Sequence, residues 1–102
     1  LSVNESKVVS YSTELLVAYP NPFNPETVIE FSLQGPDNIR IDVYNIAGNK
    51  VNTIINDVIE RGRHRVVWNG DNEHGNIVSS GIYLYRMTTS DYSKVKKVIL
   101  LK

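Results

Sequence analysis

No cysteine occurs among the 102 residues, which excludes a disulfide framework and thiolate metal sites, although it does not name a compartment. Neither sign of charge is in excess. Eleven basic and eleven acidic side chains cancel, so no global field draws the chain to nucleic acid or to an anionic membrane, and any partner must be recognised locally. No apolar run approaches the roughly 20 residues that cross a bilayer. The opening residues LSVNESK have neither a basic n-region nor an apolar h-region, so no transmembrane segment is expected and any export signal lies elsewhere. A phosphate-cradling glycine loop is also missing, because Gly48 and Gly62 are isolated and read as turns. His64 and His74, the two histidines, stand in no local pattern with a serine or carboxylate that would suggest nucleophilic catalysis. His64, between Arg63 and Arg65, reads as part of a solvated basic edge. These absences argue against an enzyme and against a bound cofactor.

What is present is period 2. In TVIEFSL the residues Ile29, Phe31 and Leu33 share one face. In NIRIDVYN, Ile39, Ile41 and Val43 point inward while Arg40, Asp42 and Tyr44 point outward. QGPD supplies a turn between these two runs, and Ala47-Gly48-Asn49 reads as a tight hairpin into KVNTII. HRVVWN sets Val66 and Trp68 on one side, and GIYLYRMTT does the same for Tyr83, Tyr85 and Met87. ELLVAY opens the series and KVKKVILL closes it. VNTIINDVIERG has helix-like apolar spacing at Val51, Ile54, Ile55, Val58 and Ile59. Its β-branched composition and short length nevertheless favour a strand plus loop. Together these runs predict one domain, an all-β antiparallel sandwich of about seven strands.

Two segments have more specific chemistry. AYPNPFNPETVIEF packs Pro20, Pro22 and Pro25 into a stiff lead that cannot lie within a helix or central strand, and that is expected to hold the chain's entry and block pairing at that edge. WNGDNEHGNIVSSGIY places Asp71, Asn72, Glu73 and Asn76 around Gly75, hard oxygen donors of the kind calcium takes. The glycine falls at the fifth place counted from Asp71 and no glutamate closes the loop, so a polar turn is the stronger reading and calcium the weaker one.

In the order YPNPFNPETVIEFSL, VYNIAGNKV, VVWNGDNEHGNIVSSGIYLYRM and KVKKVILLK, residues 14 to 102 resemble the C-terminal sorting domains of type IX secretion cargo. They are also similar to the Ig-like domain of the flagellar hook-cap protein. The resemblance implies an Ig-like β-sandwich with no catalytic residues, which acts as an address. An upstream cargo domain in the same polypeptide would reach the periplasm by its own signal, and the outer-membrane translocon of a Gram-negative bacterium would then read this domain. A sortase-like peptidase would cut upstream of it, leaving the cargo secreted or attached to the cell surface. Residues 1 to 13 fit a polar linker to such a cargo. The resemblance carries translocon recognition onto Pro20, Asn21 and Pro22, onto Gly81, Tyr83 and Tyr85, and onto Lys97, Val98, Ile99, Leu100, Leu101 and Lys102. Two other classes stay open. One is a structural spacer or hook-cap-like assembly module. The other is a carbohydrate-binding accessory module displaying Tyr11, Tyr44 and Tyr92.

Overall fold

A computed structural model describes residues 10–102, so most of the expected linker, residues 1 to 9, lies outside the described residues. Seven strands follow one another: β1 (Glu14–Tyr19), β2 (Thr27–Leu33), β3 (Asp37–Asn45), β4 (Lys50–Ile59), β5 (Gly62–Trp68), β6 (Gly81–Thr88) and β7 (Ser93–Leu100). They form a three-stranded sheet ordered β1-β2-β5 and a four-stranded sheet ordered β4-β3-β6-β7, and every strand pair is antiparallel. This is the Ig-like two-layer arrangement that the strand pattern and the resemblance predict. The inward residues of three strands bury as their alternation requires: Ile29, Phe31 and Leu33 from β2, Ile39, Ile41 and Val43 from β3, and Tyr83, Tyr85 and Met87 from β6. Each large apolar side chain buried in this way contributes about 1.5–3 kcal/mol.

The turns divide into two kinds. The hairpin at residues 46–49 joins paired neighbours, and Asn45 organises it by accepting the Ala47 and Asn49 amide hydrogens on Oδ1. Gly48 takes the positive φ of 88° that such a turn needs. QGPD joins β2 to β3, which lie in different sheets, so this turn carries the chain across the core.

The strand at 50–59 settles the helix-like spacing of VNTIINDVIERG. Its ladder with β3 skips Ile54 between Ile55 and Thr53, and skips Val51 between Asn52 and Lys50. Two bulges therefore shift the phase of the strand, and the extra residues disguise a period of 2.

Two polar residues also depart from their expected surroundings. His64 is half-buried on the inner side of β5, its ring 5.4 Å from that of Phe31 and its Nε2 2.8 Å from the Glu60 carbonyl oxygen, so it is not part of the solvated edge formed by Arg63 and Arg65. Asp42 points outward but is only 5% exposed, because it accepts hydrogen bonds from Arg40 Nε at 2.8 Å and Thr53 Oγ1 at 2.6 Å.

Tyr85 is fully buried and donates its hydroxyl to the Leu16 carbonyl across the sandwich at 3.0 Å. Burial pushes its pKa up from 10.0 to about 12. The folded state therefore keeps a proton that the unfolded chain loses first, and stability falls as pH rises from 10 towards 12. Tyr85→Phe is expected to cost about 0.5–1.5 kcal/mol at neutral pH. Urea melts across that alkaline interval should show a shallower decline for the variant than for the parent.

Candidate functional site

The proline segment does not simply lead into β2. From Tyr19 the chain crosses to the far sheet and lies along the outer edge of β7, anchored at its start by Thr27 Oγ1 donating to the Pro20 carbonyl at 2.8 Å. Asn21 sits between two prolines that lack N–H groups, and its side-chain amide supplies both a donor and an acceptor. Its Oδ1 accepts the Ile99 N–H at 2.9 Å, and its Nδ2 donates to the Lys97 carbonyl at 3.4 Å. The Phe23 N–H then donates to the Ile99 carbonyl at 2.9 Å, and Leu101 N–H donates to the Phe23 carbonyl at 3.0 Å, forming a short parallel bridge between Phe23 and Leu100. The prolines were expected to leave this edge unpaired. Instead, the residues between and after them pair with it, and the C-terminal half of β7 has both edges occupied.

The phenyl ring of Phe23 drives this arrangement. It is 2% exposed, and its centroid lies 5.3 Å from that of Trp68 at 54°. Trp68 in turn meets Tyr83 edge-on at 5.3 Å and donates its indole N–H to the Asp71 carbonyl at 2.9 Å. Such tilted aromatic pairs add to the area they bury.

Gly70 completes the contact. With φ +68°, it is placed so that a Cβ would stand 3.4 Å from Leu100 Cδ2, 3.4 Å from the Pro25 carbonyl oxygen and 3.5 Å from Phe23 Cε2. Gly70→Ala is expected to destabilise the domain by about 1 kcal/mol, since alanine resists that φ although its Cβ would meet its neighbours at van der Waals distance. Thermal melts of parent and variant measure it. Sequence reading places Gly70 in a turn but gives no sign of this close approach.

Three motifs distant in sequence thus meet. β6 pairs Gly81 with Leu100, Tyr83 with Val98 and Tyr85 with Lys96, while the proline segment closes the opposite edge. The candidate recognition residues divide by exposure. Tyr83, Tyr85, Val98 and Leu100 are buried scaffolding. Pro20, Asn21, Pro22, Lys97, Leu101 and Lys102 are exposed, and Gly81 and Ile99 are half-buried. A partner meeting the folded domain can touch only the second group, Gly81 and Ile99. Beyond the strand, the Lys102 N–H donates to Ser80 Oγ at 2.9 Å.

Two side-chain oxygens of the loop at 71–76 are engaged by the protein itself. Asn72 Oδ1 accepts the His74 and Asn76 amide hydrogens, and Asp71 Oδ1 accepts from Asn52 Nδ2. Glu73 and Asn76 are exposed, and among the described residues no cluster of three or more His, Asp or Glu side chains could hold an ion. The three tyrosines considered for sugar binding do not share a face. Tyr44 lies on the outer face of the four-stranded sheet under Arg86, Tyr11 lies under Arg61, and Tyr92 packs against the core with its hydroxyl accepting the Leu15 N–H. A surface concavity of about 380 Å³ at the other end of β3 and β6 is lined by residues including Asp37, Arg40, Asn56 and Ser90, and contains no histidine.

Residues 24–93 match the FlgD Ig-like domain family, so the chain belongs to that family. No curated protein sequence matches it. Two solved structures from Porphyromonas gingivalis share the fold. Dimeric latent PorU matches 92% of this chain at a TM-score of 0.73 and 18% identity. PorZ, an essential surface component of the type IX secretion system, matches 84% at a TM-score of 0.60 and 22% identity. The chain spans only about a tenth of each, 10% of PorU and 11% of PorZ.

Proposed function

We propose that this domain is a non-catalytic sorting module of the type IX secretion system, which addresses a cargo in the same polypeptide to the outer-membrane translocon and so to the cell surface or the medium of a Gram-negative bacterium. The observation that carries the reading is the likeness to one-tenth segments of PorU and PorZ, the latter a surface component of that system. The assembled motifs support it. The proline segment and β6 fasten β7 on both edges, leaving Lys97, Leu101 and Lys102 exposed on a rigid support. Cleavage upstream by a sortase-like peptidase would fall before the first described strand, where removal leaves the core intact.

The family match favours a second reading, a structural module that packs between neighbouring domains as an Ig-like spacer. The two differ in what truncation does. Residues 1–102 would be fused to an inert periplasmic reporter in a host that has the secretion system, and the medium and cell surface assayed. The sorting reading expects the reporter outside, and expects a fusion lacking the exposed Leu101 and Lys102, with the buried Leu100 kept, to stay in the periplasm. An intact, folded full fusion retained inside would overturn it and leave the spacer reading.

A further inference from the structure

The chain's charge is balanced overall but not face by face. On the outer face of the β1-β2-β5 sheet, Glu30 lies between Arg63 at 3.8 Å and Arg65 at 3.5 Å, so both cations have a carboxylate partner. The outer face of the four-stranded sheet differs. By strand alternation it carries Arg40, Lys50, Arg86 and Lys97 against one carboxylate, Asp42, which is already held by Arg40 at 2.8 Å and buried. Among the described residues neither Arg86 nor Lys97 forms an ion pair. Arg86 is held in place by Tyr44, its guanidinium 5.1 Å from the ring centroid, which orients the cation and leaves its N–H donors for a partner.

The same face is apolar beside these cations. The ladder sets Ile82 opposite Ile99, Leu84 opposite Lys97, and Arg86 opposite Val95. Ile82 is 43% exposed and Val95 45%, and Leu84 and Ile99 are half-buried. At that end of the sheet Ile46 and Leu101 also stand free in solvent. Aliphatic side chains next to uncompensated cations form a surface with a defined complement. A lone apolar patch would accept any greasy partner, and a lone basic patch any polyanion. The alternation of the two selects a polypeptide that presents carboxylates among aliphatic side chains.

We propose that the outer face of the four-stranded sheet is a docking surface for an acidic polypeptide, whose carboxylates meet Arg86 and Lys97 and whose aliphatic side chains cover Ile82, Leu84 and Ile99. The inference stands on this charge and apolar pattern and does not depend on the export reading, so either can fail alone. It is tested on the purified 102-residue chain with a synthetic peptide alternating glutamate and valine, with its glutamine counterpart, and with phosphatidylglycerol vesicles. The expected result is that amide resonances of residues 82–86 and 95–99 shift with the glutamate peptide, that binding weakens as salt is raised, and that the glutamine peptide binds at least tenfold more weakly. The double variant Arg86→Glu, Lys97→Glu alters two exposed side chains and should lose binding by a similar factor while keeping its melting temperature within a few degrees. Equal binding of the two peptides, shifts confined to the β1-β2-β5 sheet, binding unaffected by the double reversal, or binding to vesicles with none to the peptide would each overturn it.

Discussion

Phe23→Ala is expected to lower the free energy of unfolding by about 3–5 kcal/mol, the range for deleting a buried phenylalanine. For a domain of this size that is a drop in melting temperature of about 15 °C or more. The size of the effect is not suggested by local structure, since Phe23 belongs to no strand and lies in a proline-rich stretch. It follows from where the ring goes, against Trp68 with almost no exposure, and from the Leu100 side chain standing next to both Phe23 and Gly70. Removing the ring also removes the anchor for two backbone hydrogen bonds to β7. Glu26→Ala, three residues later and exposed, should change stability by about 0.5 kcal/mol or less, as surface substitutions do. Chemical denaturation of the three proteins tests the contrast.

The second large effect separates two adjacent leucines. Leu100 is 1% exposed and Leu101 54%. Leu100→Ala should cost about 2–5 kcal/mol, whereas Leu101→Ala should cost about 0.5 kcal/mol or less because its main contact is a backbone N–H that alanine retains. In the reporter fusion the sorting reading gives the pair different meanings. A Leu101→Ala domain that melts like the parent yet delivers less reporter would assign Leu101 to recognition. A defect restricted to Leu100→Ala would assign the terminal strand to stability alone.

The sandwich was legible because β2, β3 and β6 keep a strict alternation where they face the core. Ile29, Phe31 and Leu33, or Tyr83, Tyr85 and Met87, could hardly be arranged otherwise. Where a bulge changes the phase, as at Val51 and Ile54, the pattern imitated a helix, and only β-branching argued for a strand. The proline segment was legible as a motif but not as a structure. Proline chemistry says what a backbone cannot do, and nothing in the local sequence says that the Asn21 amide and the Phe23 backbone would be used against a strand some 75 residues away. Asp42 was missed for a related reason. Alternation assigns a direction to a side chain, but neighbours on the adjacent strand, here Thr53, decide whether that direction leads to water.

The proline segment and the terminal strand form one fastened unit, and amide hydrogen exchange reads it residue by residue. Ile99 and Leu101 direct their N–H groups at Asn21 Oδ1 and the Phe23 carbonyl, whereas Val95 shares that edge by alternation and lies beyond the strap. Exchange is expected to be slow at Ile99 and Leu101 and fast at Val95, with selective loss of protection at Ile99 in Asn21→Ala and Val98 unchanged. Ile99 and Leu101 exchanging as fast as Val95 in the parent domain would contradict the fastening.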